Sequence, residues 1–404
     1  MKLVTISKEK YSDYRLSIMF DSYKWDPQFV DNNTISRHAL VVTENEASEI
    51  ASFTNKLSIE TIAAEKLIND NLQLIAPLRL PKRIIELLSS MSNYDSNTHV
   101  RLMRFDFHPV VGGGYALSEV NSDVPGGFAE SSIMPAIAEN YITSENYYHI
   151  DFGKNLVNAI QAKAAPNGTI ALVHCTSFSD DRQVMQFLGD SLEKVGFRAI
   201  YLAADHLKFV NNKAISMLGE NQVNVDFIFR FTPIEWLKYL ETDYWRGYFS
   251  TVTPSCNHPI ALYTQTKRIA LAFDDLEKLG ADLSTWRLLL PETRSVKAVK
   301  GETGYIFKPT LGRIGESISI KSACTKEEYK QILRDVKLHK NHYIAQKMFN
   351  SQALTTETGE NIHVCIGAYS VEGMFAGFYA RGSTTQRIDS NAIDMPVLIE
   401  RTNK

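Results

Sequence analysis

Two short groups of polar residues, R-F-D at 104–106 and E-V-N at 119–121, lie in alternating sequence on either side of Gly112–Gly114. Side chains two positions apart on a β-strand point the same way, so the first and third residues of each group share a face. Strands paired across the glycines would bring both sets together. Carboxylate and carboxamide oxygens suit Mg²⁺, and a guanidinium can hold an anion that forms during a reaction. The candidate metal ligands are Asp106, Glu119 and Asn121, with Arg104 as the candidate anion-binding residue.

These charges also have an ordinary explanation, in which Arg104 and Asp106 pair with opposite charges on an exposed sheet. The residues that follow favour a site: Asp123 leads into Val-Pro-Gly-Gly at 124–127. Such a turn leaves backbone N–H groups free, and turns of this kind commonly receive anionic ligands. Both interpretations are open at this point.

A second group, KPTLGRIGE at 308–316, follows a predicted strand. Its two glycines let the backbone turn tightly and approach a ligand closely, as a loop covering phosphates must. The group is neither a P-loop nor a Rossmann fingerprint. An ordinary hairpin turn with a solvated lysine is the alternative. Lys267, at the start of a predicted helix, is a further candidate, or a solvated lysine of the first turn.

The elements that must position these residues follow from periodicity. Helical spacing dominates residues 1 to about 95, which we interpret as a packing layer. Alternation over 99–123 predicts a hairpin. Predicted helices follow near 131–141, 154–163, 181–195 and 264–279, and predicted strands at 169–175, 197–204, 223–231, 304–308, 317–321, 343–348 and on both sides of a Glu-Gly turn at 372–373. The strand–helix–strand order predicts a parallel α/β sheet within an α+β protein.

Composition excludes some classes of function. A formal net charge of −3 over 404 residues gives no basic field, so we expect no nucleic-acid partner. The start lacks the features of a secretory signal and no apolar stretch is long enough to span a membrane, so we expect a cytoplasmic chain without a membrane partner. Its four cysteines are scattered, which predicts neither a zinc site nor disulfides.

The ordered set of motifs resembles the glutathionylspermidine synthase family, in which an R-x-D strand precedes E-x-N-x-D, a helix lysine and KPxxGRxG. The resemblance extends from about residue 100 to about 385, and includes 225–237, 343–346 and the segment ending at Arg381. The motif positions that match are Arg104, Asp106, Glu119, Asn121, Asp123, Lys267, Lys308, Pro309, Gly312, Arg313 and Gly315.

The resemblance implies an ATP-grasp fold in permuted order, with the metal-binding strands before the nucleotide lysines. It divides the chain into a mostly helical N-terminal region at 1–98, the metal-binding hairpin and helices at 99–165, a pre-ATP-grasp-like α/β substrate domain at 166–262 and the nucleotide-binding region at 263–404.

The resemblance also assigns roles around ATP. Asp106, Glu119 and Asn121 would hold two Mg²⁺ ions, and Arg104 and Arg381 would act on the transferring phosphoryl group. The residues implied to contact the nucleotide are Arg104, Lys267, Lys308, Gly312, Arg313, Gly315 and Gln346.

The implied reaction joins a carboxylate to an amine. Because an unactivated carboxylate is a poor acyl donor to an amine, the γ-phosphoryl group is first transferred to it, and the amine then attacks the acyl phosphate and releases phosphate. Mg²⁺ and cationic side chains neutralise the charge that develops. Small molecules, an acid or peptide and an amine, are thus the expected partners.

The residues implied to bind these substrates are Asp123, Asp180, Asp181, Thr232 and Glu235. Asp180 and Asp181 could equally cap a helix, and Glu235 could serve packing or a salt bridge. Cys175, in a predicted buried strand, is interpreted as structural because nothing beside it in the sequence lowers its pKa.

Two departures from the family's sequence pattern bear on the expected activity and substrate. The first hundred residues contain no cysteine and none of the family's amidase motifs, so we expect synthesis without amide hydrolysis. Val-Pro-Gly-Gly after Asp123 replaces small polar residues associated with thiol-peptide binding, so the resemblance leaves open whether glutathione is the substrate. Three hypotheses remain: a ligase, a non-catalytic ATP-binding regulatory or scaffolding protein, and an ATP-dependent kinase of a small acid.

Overall fold

The computed structural model describes residues 1–25, 27–29, 31–91, 94–142, 146–219, 222–313 and 315–402. The α-helices of this described part are α1 Lys8–Asp21, α2 Glu44–Asp70, α3 Lys82–Ser89, α4 Ile133–Tyr141, α5 Phe152–Lys163, α6 Ser179–Glu193, α7 Gly247–Ser250, α8 Leu262–Gln265, α9 Phe273–Lys278, α10 Ser284–Leu289 and α11 Lys326–Leu338. Short 3-10 helices lie at Leu72–Leu78, Ala204–His206, Ile234–Tyr239, Thr242–Tyr244, Pro259–Ala261, Lys267–Ala272, Lys321–Ala323 and Lys340–His342.

The strands are β1 Lys2–Thr5, β2 Gln28–Phe29, β3 Asn32–Asn33, β4 His38–Thr43, β5 Leu102–Pro109, β6 Tyr115–Asn121, β7 Tyr147–Tyr148, β8 Thr169–Val173, β9 Arg198–Leu202, β10 Leu207–Val210, β11 Lys213–Ser216, β12 Val223–Asn224, β13 Phe227–Arg230, β14 Ser255–Cys256, β15 Thr293–Ser295, β16 Tyr305–Pro309, β17 Tyr343–Lys347, β18 Ala353–Thr355, β19 Asn361–Val371, β20 Met374–Ser383, β21 Ile393–Met395 and β22 Val397–Glu400.

The central sheet is antiparallel, in the order β21-β20-β19-β5-β6, with β18 on β19. The predicted hairpin is confirmed as β5 and β6, joined through Gly112–Gly114, each with a positive φ. Register places Arg104 opposite Asn121 and Asp106 opposite Glu119. The two long strands on either side of the Glu-Gly turn are confirmed as β19 and β20. Helix α2 covers this sheet with a buried stripe, Ile50, Leu57, Ala64 and Ile68.

A second sheet, in the order β14-β13-β8-β9, is parallel throughout. The predicted strand–helix–strand unit is confirmed as β8, α6 and β9. Strand β8 is an apolar run whose residues are buried on both faces, which is typical of a parallel strand covered by helices. The carboxyl end of β8 leads directly to the start of α6, where Asp180 and Asp181 lie in the first turn.

The sequence predicts a mostly helical N-terminal region, and α1, α2 and α3 are present. The prediction missed β1 and β4, which join a four-stranded sheet in the order β1-β4-β22-β7. Strand β4 is short and almost wholly buried, so it carries no alternation that would distinguish it from a buried helix turn. Its parallel partner is β22, which is distant in the sequence.

A fourth sheet, β15-β17-β16, packs on α11. Two predictions for segments before and after β16 are wrong. The predicted helix at 264–279 is broken into α8, a 3-10 turn at Lys267–Ala272 and α9. The break falls at Thr266, whose backbone is extended, and the Lys267 N–H donates to the Thr310 carbonyl at 2.9 Å. The predicted strand at 317–321 is not a strand, because Ser317 has a positive φ of 54°. Among the described residues, no helix is long and apolar enough to cross a membrane.

Candidate functional site

A cavity of about 470 Å³ opens where the central sheet, the β15-β17-β16 sheet and the carboxyl end of β8 meet. One part of its wall is apolar and is formed by Ile306, Ile318, Ile320, Met348 and Phe349. The rest of the wall includes charged side chains of both signs. The predicted site residues on the wall are Arg104, Asp106, Glu119, Asn121, Asp180, Asp181, Lys308, Arg313, Gly315 and Arg381.

The hairpin face carries a connected polar group. Arg104 Nε donates to Asp106 Oδ1 at 2.8 Å, and its Nη2 donates to Oδ2 at 3.1 Å. Asn121 Nδ2 donates to the same Oδ2 at 2.9 Å. The Arg104 guanidinium also lies over the Tyr379 ring, 4.8 Å from its centroid. These contacts fix the Asp106 carboxylate in orientation, and both groups face the cavity.

Glu119 lies between two lysines that come from distant parts of the chain. Lys267 Nζ is 2.7 Å from Glu119 Oε2 and donates to the Gly312 carbonyl at 2.8 Å. Burial alone would raise the pKa of Glu119, but the charges of Lys267 and Lys308 outweigh that effect and hold the pKa below its usual value. The carboxylate is therefore ionised and available to a cation at neutral pH.

Lys308 is the buried cation of this group, with its Nζ donating to the Ser118 carbonyl at 3.3 Å. Burial lowers the pKa of Lys308 to about 8, with Glu119 opposing the shift and Lys267 adding to it. An anion entering the cavity would favour the charged form. Burial also lowers the pKa of neighbouring His108 to about 3, so that imidazole is neutral.

Oxygen donors for a metal ion are present, but they do not form a complete cage. Asp106 and Glu119 supply carboxylates from opposite positions of the hairpin, and Asn121 supplies a carboxamide. Within the described ranges, no group of three His, Cys, Asp or Glu side chains is placed to hold a metal. Mg²⁺ commonly binds through one or two carboxylates plus substrate phosphates and waters, so this donor set fits Mg²⁺ that arrives with a phosphate ligand.

Polar atoms without partners mark the same wall. Arg381 donates through Nη2 to the carbonyls of Asp389 and Ala392, at 2.6 and 3.1 Å. Four buried side-chain atoms of wall residues have no hydrogen-bond partner in the described part of the chain: Thr34 Oγ1, Arg313 Nε, Arg381 Nε and Gln386 Oε1. Native structures rarely leave buried polar atoms unpaired, so these atoms indicate where a polar ligand or water binds.

The glycine-containing loop after β16 closes one side of the cavity. Arg313 Nη2 donates to Glu235 Oε1 at 2.7 Å, and its guanidinium lies over the Trp236 ring. Gly315 has a φ of 65°, and a Cβ there would overlap the carbonyl oxygen of Ile388. Only glycine fits at this position, because the two chain segments touch. Ile314 lies outside the described residues.

At the end of the cavity that contains Arg313, Asp180 and Asp181 also line the wall. Burial raises the pKa of Asp181 to about 6, and neighbouring Asp180 adds to the shift. The aromatic rings of Phe178 and Trp236 lie nearby, 6.4 Å apart between centroids. An acidic pair beside aromatic rings suits a cationic or amine-bearing ligand.

Six predicted residues do not line the cavity: Lys267, Gly312, Asp123, Thr232, Glu235 and Gln346. Lys267 contacts the wall residue Glu119, and the Gly312 carbonyl accepts a hydrogen bond from Lys267. Asp123 is buried in an ion pair with Arg230 and accepts from the Ile234 N–H.

The remaining three are also buried. Thr232 lies beside Cys175, Glu235 pairs with Arg313, and Gln346 donates to Thr293 while its Oε1 has no partner among the described residues. Burial raises the pKa of the Cys175 thiol, in keeping with a structural cysteine.

Three further charged residues on the wall were missed by the reasoning from sequence. Lys24 Nζ donates to Glu130 Oε1 at 2.9 Å and to Asp394 Oδ2 at 2.7 Å. Asp394 also accepts from the Tyr379 hydroxyl at 2.7 Å. No local signal could have found this group, because its members come from three distant segments and none belongs to a recognisable motif.

Fold and site define a mixed α/β protein with a cavity lined by paired cations and carboxylates. The sequence profile of the family described as Glutathionylspermidine synthase preATP-grasp matches residues 17–400, so the chain belongs to that family.

Two solved structures that resemble the chain are distant from it in sequence. A glutathione synthetase-like effector from Globodera pallida, in its apo form, superposes with a TM-score of 0.65 at 13% identity, covering 97% of each chain. A putative gamma-glutamylcysteine synthetase from Methylobacillus flagellatus KT has a TM-score of 0.44 at 13% identity, covering 84% of this chain and 85% of its own. A search of curated proteins finds no match. The first similarity supports the fold alone.

Proposed function

We propose that this protein is an ATP- and Mg²⁺-dependent carboxylate–amine ligase that forms an amide through an acyl phosphate. The observation that carries the proposal is the convergence of Asp106, Glu119, Lys308, Arg104 and Arg381 on one cavity wall. Phosphoryl transfer needs cations around the transferring group and hard oxygen ligands for the metal, and little else from the protein. Membership of the family supports the same reaction.

Each residue has a role that its surroundings support. The Lys308 ammonium would bind phosphate oxygens, with Lys267 holding Glu119 and the loop carbonyl of Gly312 in place. Arg104 and Arg381 would orient the carboxylate and stabilise charge on the transferred group. When bound, Mg²⁺ would neutralise charge on the phosphates, held by Asp106, Glu119 and Asn121.

The amine would enter from the Asp180–Asp181 end. Carboxylates there attract an ammonium group, and the raised pKa of Asp181 lets it take a proton more readily than an ordinary aspartate. The apolar part of the wall, around Ile306 and Met348, is suited to a nucleotide base. Acid, amine and nucleotide would thus share one cavity, which favours attack on the acyl phosphate over its hydrolysis.

We further propose the permuted ATP-grasp order and the boundaries at 98, 165 and 262 for its parts. The support is that Asp106 and Glu119 precede Lys267 and Lys308 in the chain, while Glu119 contacts Lys267 and shares the cavity wall with Lys308. The β15-β17-β16 sheet and α11 then form the nucleotide-binding part, and the parallel sheet forms the substrate part.

The test is ADP release with Mg²⁺ and ATP across a panel that crosses short peptides and small acids with amines, with mass detection of products. Glu119→Gln is expected to lower ADP release on the order of 100-fold, because the charge that holds Lys267 and a metal is lost. Glu357→Gln, an exposed residue, is the matched control and is expected to leave the rate unchanged.

The outcomes separate the hypotheses. Amide product that requires both an acid and an amine supports the ligase. A phosphorylated acid formed equally well without amine would identify a kinase, and ATP binding without turnover of any pair would favour a regulatory or scaffolding protein. Unchanged turnover in Glu119→Gln would remove the metal-ligand assignment.

A further inference from the structure

The cavity wall contains an ammonium group that belongs to the protein itself. Lys24 follows α1, and its Nζ bonds both Glu130, before α4, and Asp394, on β21. The three side chains are only 17%, 15% and 9% exposed, and all three line the cavity. A two-carboxylate cation site is thus built into the wall, and Lys24 fills it.

The segment that carries Lys24 is fixed at both neighbouring residues. The Tyr23 hydroxyl donates to Asp190 Oδ2 at 2.7 Å, and the Trp25 N–H donates to Gln183 Oε1 at 2.9 Å. Tyr23 has a φ of 58°, a conformation that costs free energy for a residue other than glycine. The two hydrogen bonds to α6 maintain this backbone conformation and so keep the ammonium at this point of the wall.

Charge explains why an ammonium is needed there. Two carboxylates near one another in a partly desolvated wall repel unless a cation lies between them. Burial would lower the pKa of Lys24, but Asp394 and Glu130 outweigh that effect and the pKa lies above its ordinary value. The lysine is therefore a fixed cation and not a nucleophile. On its other side, Asp394 accepts from the Tyr379 hydroxyl and lies 3.8 Å from Arg381 Nε.

We propose that the Glu130–Asp394 pair is a primary-ammonium site and that Lys24, by occupying it, determines which amines the cavity accepts. The consequence for amines rests on the proposed function. With Lys24 present, an acceptor amine is directed to the acidic side chains of the Asp180–Asp181 end. A diamine or polyamine cannot place a second ammonium between Glu130 and Asp394 without displacing the lysine.

The test is chemical rescue of Lys24→Ala, measured as thermal stability of the full chain. Alanine removes the three-carbon ammonium end of the side chain, and n-propylammonium has the same three carbons and charge. We expect the variant to lose several degrees in Tm and millimolar n-propylammonium to restore most of the loss, because a ligand that binds only the folded state stabilises it. Wild type should show no such gain. Tetramethylammonium at equal ionic strength, which cannot donate hydrogen bonds, should give no rescue.

A second variant tests the carboxylates. Lys24→Ala combined with Asp394→Asn should lose the n-propylammonium response, because one acceptor of the ammonium is gone. If Lys24→Ala does not fold unaided, the refolding yield with and without n-propylammonium replaces Tm as the measured quantity. Equal responses to n-propylammonium and tetramethylammonium would overturn the ammonium site.

The effect of Lys24 on amine specificity is tested by measuring KM for different amines. With Lys24→Ala we expect the KM for diamines and polyamines to fall at least tenfold relative to the KM for monoamines of similar length. A tenfold change corresponds to one added ion-paired hydrogen bond between the second ammonium and the vacated carboxylates. An unchanged ratio of KM values would overturn the specificity role. Rescue of Tm in a chain that shows no ligase activity would retain the ammonium site and reject the proposed function instead.

Discussion

Removing the carboxylate of Asp123 should greatly lower the free energy of unfolding of this protein. The effect should not depend on substrate binding. Asp123 and Arg230 form a fully buried ion pair, with side chains 0% and 1% exposed. Arg230 also donates to the carbonyls of Thr232 and Asn257, and Asp123 accepts from the Ile234 N–H at 3.1 Å. The pair joins the turn after β6 to the end of β13.

The magnitude follows from what Asp123→Ala leaves behind. Arg230 would keep two carbonyl partners but lose the carboxylate that it pairs with, and breaking a buried pair in this way costs about 3–5 kcal/mol. The lost hydrogen bond from Ile234 adds about 1 kcal/mol. Folded proteins are stable by about 5–15 kcal/mol, so the change removes a large share of the total.

The assay is urea unfolding, with the free energy of unfolding taken from transitions of equal slope. Asp275→Ala is the matched control, since Asp275 pairs with Lys278 at the surface and exposed pairs contribute little to stability. A double variant, Asp123→Leu with Arg230→Met, should recover part of the loss, because it leaves no unpaired buried charge. A loss no larger than that of the control, or a raised KM with full stability, would refute the reasoning and return Asp123 to the substrate site.

Further predictions concern Lys308 and Gly315, both of which lie on the cavity wall. Because the pKa of Lys308 is about 8, its side chain is a charged ammonium below pH 8 and loses the proton as pH rises. The Kd of Mg²⁺·ATP should therefore rise by up to about tenfold per pH unit above pH 8. Lys308→Met should make the Kd nearly independent of pH in this range. The unfolded chain binds this proton up to the ordinary value of 10.5, so this one lysine makes stability increase with pH between those values. Gly315→Ala should lower the free energy of unfolding by about 1–3 kcal/mol through its overlap with Ile388, as read by urea unfolding. Gly301→Ala, with a φ of 88° and open space for a Cβ, has only the conformational cost and should lose less; equal losses would remove the overlap as the cause.

The hairpin was predictable because its signal is local. Alternation over two strands and three consecutive glycines define both strands, the turn and the facing side chains, so the residue pattern alone is enough to expect Asp106 and Glu119 on one face. The strand–helix–strand unit was predictable for the same reason. Each of these elements carries its own periodicity.

The missed features depend on distant parts of the chain. Strand β4 is stabilised by β22, and the helix predicted at 264–279 is interrupted because Lys267 bonds the loop at Thr310. Helical periodicity cannot report a backbone hydrogen bond to a residue so far along the sequence. Likewise Lys24 and Asp394 are ordinary surface-type residues in the sequence and become wall residues only through tertiary contact.

Strand β22 lies between β4 and β7 in its sheet, although it follows both of them in the sequence. During synthesis, one edge of β4 therefore stays unpaired until residues 397–400 have left the ribosome. Other chains could pair with that exposed edge. The same late segment brings Asp394 to Lys24 and to the Arg381 side of the cavity. The cavity wall is therefore incomplete until this segment has joined the fold.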